Sequence, residues 1–398
     1  MHNLLKIKIF RAALRVTYPV SLIFIYPFVL LKKKNNSHLF FFFDRYVIGG
    51  AQRIHLDILK SIGEEYKQVY FTRKSDNDSL KKEFYNTPNT ANKDVHIWCD
   101  YLLLRLFTVH YFAFYINRHA TAQVFSSNST FFYDMLPFLK SNVEKTELLH
   151  NFTFGKNGME HFGLANVNYL DHRIVYDSFT LANIKKQYED NNITAMASRI
   201  LFIEPGVKIP LPPEKVFALP LAILYAGRGG EQKRIHLLNK ICEQCFDEQL
   251  PVSFHFAGTM TDELSEAVKS NSTIHGQISD SAKMYELYSF CHIILMTSAY
   301  EGFPMFIKEG MACGCVPVVT ALEGNKMHLT SGENSLLIDA VKNEQQVVAL
   351  GIEQIKKLVK DINLLKQLSD NAYRYAKTNF SKEKFNEEYR KLLLSKKG

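Results

Sequence analysis

The stretch that most constrains this chain runs from Cys291 to Thr320. An apolar run, Cys291 to Met296, reads as a buried strand; the pattern breaks at Glu301-Gly302-Phe303-Pro304 and resumes as a helix-compatible run from Met305 to about Cys313. Gly314, Cys315 and Pro317 stop that helix, and Val316 to Thr320 begins a second β-rich segment. One strand, helix, strand step of a parallel sheet accounts for the whole run. In such sheets ligands bind beyond the carboxyl ends of the strands, which is where Glu301 and the start of the helix fall.

Two carboxylates, Glu301 and Glu309, lie eight positions apart. On one continuous helix they would be separated by roughly 12 Å of rise, too far to serve one sugar. Pro304 changes the geometry, because a helix that starts there leaves Glu301 in the preceding loop and puts Glu309 one to two turns in. A helix start offers unpaired N–H groups and partial positive charge to a diphosphate, while carboxylates accept from sugar hydroxyls. The alternative is that Glu301 caps the helix and Glu309 is a solvated helix residue.

The wider pattern favours the first reading. E-G-F-P followed by E-G-M-A-C-G-C-V-P-V-V resembles the E-x7-E signature of the retaining GT-B glycosyltransferases of family 4, which belong to the glycosyl transferases group 1. The resemblance covers roughly residues 38–392 and implies an α/β chain of two Rossmann-like domains facing across a cleft.

Length and composition agree. A chain of 398 residues, 46% hydrophobic and 22% charged, is long enough for two domains with sizeable cores. The six cysteines sit mainly in apolar segments, and Cys242-x-x-Cys245 has no second pair at zinc-ligand spacing, so reduced cytosolic thiols and no metal site are expected. Of the net charge of +8, residues 1–36 supply seven units through Lys6, Lys8, Arg11, Arg15, Lys32, Lys33 and Lys34, with no acid among them. The nearly neutral remainder argues against nucleic-acid binding. The basic residues bracket an apolar run, Val16 to Leu31, that is short for a span and interrupted by Pro19 and Pro27. This predicts a membrane-associating segment at residues 1–36, lying on an anionic cytoplasmic leaflet; covering the first domain's own apolar surface, or crossing the bilayer, are the alternatives.

Taken in order, His38 to Phe43 predicts a strand covered on both faces. After it come Gly49, Gly50 and Arg53, resembling the family's G-G-A-x-R element beside the donor phosphates and the acceptor path. Gln68 to Thr72 reads as a strand, Ser75 to Asn92 as a polar loop, His96 to Trp98 as a strand, and Tyr101 to Ile116 as an aromatic-rich helix. His150 closes a strand begun at Lys145, at the position of a family histidine whose contacts involve the donor sugar. Pro210, Pro212 and Pro213 stiffen a connection that suits a domain boundary. The domains expected are 1–36, the membrane-associating segment; 37–207, an acceptor domain; 208–378, a nucleotide-sugar domain; and 379–398, a helix crossing back to the first domain.

In the second domain, Arg228 and Lys233 bracket a glycine-rich loop after a strand, so two cations can hold one diphosphate, resembling the family's G-R-x-x-x-x-K loop. By the same resemblance Gly258 ends a strand that approaches the nucleotide, and Gln277 and Ile278 flank the base. Gly302, Phe303 and Met305 line the donor, Glu301 positions its sugar, and Glu309 holds the ribose. The implied activity is retaining, metal-independent transfer of a hexose from a nucleoside-diphosphate sugar to a glycan or lipid-linked acceptor in surface polysaccharide synthesis, without a cofactor. Another sugar-nucleotide enzyme such as an epimerase, or a non-catalytic scaffold at the membrane, is the alternative.

Overall fold

The computed structural model describes residues 2–32, 37–47, 50–153, 158–212, 214–278 and 280–395. They fold into two compact units, the first made of 1–176, 180–204 and 385–398, the second of 177–179 and 205–384.

In the first unit the described strands are β1 (Leu39–Phe43), β2 (Lys67–Phe71), β3 (Thr90–Asp94), β4 (Gln123–Ser127), β5 (Glu144–Leu148), β6 (His172–Val175) and β7 (Ile200–Phe202). They form one parallel sheet in the order β3-β2-β1-β4-β5-β6-β7. The phenylalanines of β1 show why the sheet is covered on both sides. Phe40 and Phe42 pack with Phe112 and Phe131, while Phe41 and Phe43 pack with Leu56 and Leu59 of the helix Gly50–Ser61 and with Phe385 and Tyr389 of the last helix, Lys382–Leu394. All four are fully buried, and each contributes about 2–3 kcal/mol by leaving water.

Two readings of this region need correcting. His96 to Trp98 begins a short helix, His96–Asp100, and the strand lies earlier, in the stretch read as polar loop. The reason is position: β3 pairs with β2 alone and stays half in water, so Thr-Ala-Asn-Lys-Asp carries no apolar alternation to betray it.

At the N-terminus, α1 (His2–Phe24) and α2 (Tyr26–Leu31) pack on the helix Leu102–Ile116. The inward face of α1 repeats at helical spacing. Arg11 Nη2 donates to the Phe162 carbonyl at 3.0 Å, Leu14 is buried, Tyr18 stacks on Phe138 at 5.3 Å, and Ser21 Oγ meets His110 Nδ1 at 2.7 Å. Its opposite face leaves Ile9, Val16, Val20 and Ile23 exposed. Among the described residues no helix is long and apolar enough to cross a membrane.

In the second unit the strands are β8 (Leu221–Gly227), β9 (Val252–Gly258), β10 (Thr273–Gly276), β11 (Ile293–Met296), β12 (Val316–Thr320) and β13 (Leu336–Ile338), parallel in the order β10-β9-β8-β11-β12-β13. Ile223 and Ile293 face one core layer, and Leu224 and Ile294 the other. The step anticipated over 291–320 is β11, the helix Met305–Ala312 and β12, which pair in register from Ile293 with Val316.

Candidate active site

The strand order decides where a ligand can sit. β8 and β11 are neighbours, and their chain connections leave toward opposite edges of the sheet, so a crevice opens beyond their carboxyl ends. β8 ends at Gly227 and delivers the loop holding Arg228 and Lys233; β11 ends at Met296 and delivers the loop holding Glu301.

These two loops touch. Lys233 Nζ donates to Glu301 Oε1 in an ion pair whose side chains are 15% and 13% exposed. The Ala299 amide donates to the Gln232 carbonyl at 2.8 Å, and Gln232 Nε2 donates to the Tyr300 carbonyl at 2.8 Å, so the loops are laced beside the pair. Arg228 is exposed, and its Nη2 reaches Gln232 Oε1 at 3.5 Å. An ammonium has three N–H donors, so Lys233 can keep Glu301 and still hold an anion. Around the loop, the Gly230 amide donates to Glu263 Oε1 at 2.7 Å. Gly258 is required by close approach: its φ is +127°, and a Cβ there would lie 1.8 Å from the Gly227 carbonyl oxygen.

Arg234, one position past Lys233, was not singled out in the sequence, yet it holds the site together. It is 6% exposed, adopts a left-handed backbone (φ 50°), and donates to the carbonyls of Thr297 at 2.6 Å, Ser298 at 3.0 Å and Val341 at 2.8 Å. Its charge satisfies the backbone from which the Glu301 loop departs. Gly324 is a second omission: a Cβ there would meet the Gly302 carbonyl oxygen at 1.8 Å, so this residue lets the chain pass behind the E-G-F-P corner. Neither carries a sequence signal, since both act on backbone atoms of segments far away in the chain.

Pro304 stands at the N-cap of the helix Met305–Ala312, which places Glu301 in the loop and Glu309 on the helix. Phe303 turns inward, 4.4 Å from the His328 ring and 5.4 Å from Phe380, while Met305 is 40% exposed. Glu309 accepts a 2.9 Å hydrogen bond from Tyr288. Burial pushes its carboxyl pKa above the ordinary value, against the Tyr288 hydrogen bond and the charge of Lys382. Burial, then the Glu309 charge, raise the Tyr288 phenol in turn, so it remains a donor at neutral pH. Tyr288 belongs to the helix Ser281–Phe290, which follows Gln277 and Ile278. Those two line a cavity of about 540 Å³ with His275, Asp280 and Lys283. Among the described residues no hydrogen bond joins Glu309 to the Lys233 and Glu301 pair. No group of three potential metal-ligating side chains comes together among them either.

The remaining sequence candidates lie in the first unit. Gly50 opens the helix Gly50–Ser61 with open space around its Cα, and Gly49 falls outside the described residues. Arg53 pairs with Glu83 at 2.8 Å on the surface. His150 sits two residues beyond β5, buried, with its Nε2 2.9 Å from His55 Nε2 and its Nδ1 3.3 Å from the Tyr176 hydroxyl. His55 in turn stacks on Phe43 at 4.2 Å, and its Nδ1 has no partner among the described residues. A bare lone pair costs less in the interior than an unpaired N–H. His55 therefore carries its proton on Nε2 and donates to His150, which carries its own on Nδ1 toward Tyr176.

Burial lowers both imidazoles, His55 strongly and His150 to about 4. A histidine whose folded pKa is depressed refuses a proton that the unfolded chain accepts. The stability it secures is complete above about pH 6.5 and is lost as pH falls from there toward about 4, on the order of 3 kcal/mol for His150. Chemical unfolding of wild type at pH 7 and pH 4.5 should show that loss, and His150→Gln should flatten the dependence over the same window.

Residues 215–375 match the family model described as glycosyl transferases group 1. That match covers the second unit's sheet from β8 to β13, and with it Arg228, Lys233, Glu301 and Glu309. By fold the chain resembles solved structures along most of its length, glycosyltransferases among them. HepE of Anabaena in complex with UDP aligns at a TM-score of 0.68 and 15% identity, over 90% of this chain and 100% of that one. A glycosyltransferase from Rickettsia africae ESF-5 aligns at 0.69 and 16%, over 90% and 99%. The lipopolysaccharide outer core galactosyltransferase WaaB aligns at 0.63 and 17%, over 89% and 99%. These likenesses establish the fold, two parallel-sheet α/β units of the GT-B kind. Among curated proteins none matches the chain by sequence.

Proposed function

We propose that this protein is a retaining glycosyltransferase of family 4 type that moves a hexose from a nucleoside-diphosphate sugar to a hydroxyl of a lipid-linked glycan in surface polysaccharide synthesis. The observation that carries the proposal is the contact of Lys233 with Glu301 at the crevice between β8 and β11, inside the segment that matches the group 1 family. HepE was solved with UDP and with UDP-glucose, which makes uridine nucleotides the first donors to try.

In this reading the diphosphate lies over the glycine-rich loop, where Arg228 and Lys233 stabilise the negative charge that grows on it as the anomeric bond breaks. Those cations supply the charge a divalent metal supplies elsewhere, so transfer proceeds without one. Glu301 orients both Lys233 and a sugar hydroxyl. Backbone N–H groups of Phe303 and Met305 remain for the donor, because the Phe303 ring is turned inward. Glu309 accepts from the ribose hydroxyls, and Gln277 and Ile278 flank the base. The acceptor hydroxyl attacks from the face the diphosphate leaves, while Gly49, Gly50 and His150 serve the acceptor side. Residues 1–36 rest on an anionic cytoplasmic membrane surface.

Incubation with radiolabelled UDP-sugars and a membrane lipid extract, with and without chelator, tests the reading. Label should appear in lipid in both arms. Conversion of the free donor to an epimer, or label transfer abolished by chelator, would overturn the corresponding part.

Glu309 supplies a more specific check. Glu309→Ala removes hydrogen bonds to a charged acceptor and should weaken UDP binding by about 10–100-fold in titration calorimetry. The ribose-binding form is the carboxylate, and burial raises its pKa. Wild-type affinity should therefore begin to fall at a pH above the ordinary carboxylate value as acid is added, whereas Glu309→Gln should stay level. Unchanged affinity in Glu309→Ala would remove this residue from the donor site.

A further inference from the structure

The first unit holds a cavity that the transferase chemistry does not use. It has a volume of about 400 Å³, lies between α2, the exposed edge of the sheet and the helices His96–Asp100 and Leu102–Ile116, and is lined by Ile25, Val95, Trp98, Leu104, Phe107 and Phe112. Cavities of this size accommodate ligands, and this wall is almost entirely apolar and aromatic. Trp98 in that wall is 56% exposed, and between it and Leu104 the apolar residues Tyr101, Leu102 and Leu103 are exposed too, at 64%, 62% and 73%. A soluble surface rarely spends so much aromatic and aliphatic area on water without a partner.

Two cations stand at the same cavity. Lys32, at the end of α2, donates to the Tyr111 hydroxyl at 2.5 Å and lies over the Tyr111 and Tyr115 rings. Arg118 holds that end of α2 in place by donating to the Lys32 carbonyl at 2.9 Å. Lys93 is the penultimate residue of the edge strand β3. Its ammonium is pushed below the ordinary value by partial burial and by the positive charge of Lys32. Among the described residues neither lysine pairs with a carboxylate. Two like charges held together beside an apolar hollow, with no acid between them, ask for an anion attached to a hydrocarbon. The surroundings have the same sign, since Lys6, Lys8 and Arg15 of α1 are exposed.

We infer that this cavity binds an anionic lipid of the bilayer, with one hydrocarbon chain among Ile25, Val95, Trp98 and Phe107 and the phosphate on Lys32 and Lys93. The membrane contact then extends beyond residues 1–36 to the helices His96–Asp100 and Leu102–Ile116. Placing the protein on a membrane is shared with the functional reading above, but donor binding is not involved, so the two fail separately.

Trp98 is the only tryptophan in the chain, which makes its emission a direct report on the cavity. Full-length protein is mixed with vesicles rich in phosphatidylglycerol, with pure phosphatidylcholine vesicles, and with inorganic phosphate alone. Only the anionic vesicles should shift Trp98 emission to shorter wavelength, and lipids brominated along their chains should quench it. Lys32→Ala with Lys93→Ala should weaken that partition by about tenfold or more while leaving thermal unfolding and UDP binding unchanged. Vesicle pelleting without a change at Trp98 would place the contact on α1 alone and overturn the proposal. An equal response to phosphatidylcholine or to phosphate would do the same, as would a blue shift that grows with protein concentration in the absence of lipid, which would mark a second copy of the chain as the occupant.

Discussion

Lys233→Ala should lower the turnover of sugar transfer by about 10²–10³-fold, the loss typical when one preorganised partner of a developing charge is removed. Lys233 is placed for that role by the turn before it, in which its amide donates to the Gly230 carbonyl at 2.9 Å, and by the ion pair with Glu301. Lys233→Arg keeps the charge but not its reach, because a guanidinium is a planar fork where the ammonium is a compact point. It should recover only part of the rate. Glu301→Gln should reduce transfer while leaving UDP affinity nearly intact if that carboxylate meets the sugar and not the nucleotide, as proposed above. Steady-state rates with UDP-glucose, and UDP titrations on the same variants, separate the two effects. Full activity in Lys233→Ala would end the assignment of this crevice.

The second large effect falls on stability. Arg234→Met should lower the unfolding free energy by about 3–5 kcal/mol, because three backbone carbonyls lose a charged donor in a buried place. Arg234→Lys should recover little, as one ammonium cannot span carbonyls contributed by Thr297, Ser298 and Val341. Because the Thr297 and Ser298 carbonyls sit at the root of the loop that carries Glu301, activity should fall in step with the loss of order in the second unit. A denaturant midpoint that shifts by less than a third of the wild-type value would show that water replaces the guanidinium at little cost.

How much of this was legible beforehand depends on how local the cause is. The strands β1, β8 and β11 announce themselves because they are covered on both faces and must be apolar throughout; Leu-Phe-Phe-Phe-Phe allows no other reading. The break at Pro304 fixes a helix start because the proline lacks an N–H and restricts its own φ. β3 was missed since an edge strand is under no such demand, and the following His96-Ile-Trp, whose exposed aromatic and aliphatic residues imitate a strand, belongs to a helix. His150 could be proposed from its place at a strand end. That its Nε2 is occupied by His55, from a helix some 95 positions earlier, could not.

By itself, then, the sequence determined most of the alternation of strands and helices, the two parallel sheets, the basic apolar N-terminus and the residue types on the loops that follow β8 and β11. These follow from periodicity, backbone restriction and charge, which act over a few neighbours. Tertiary structure alone decided that Lys233 meets Glu301, that Arg234 underpins the loop that carries Glu301, that Glu309 answers to Tyr288, and that Lys32 and Lys93 share an apolar hollow. Each of those pairings joins segments far apart in the chain, and the distance between such segments is set by how the strands are ordered in the sheet, which no local pattern encodes.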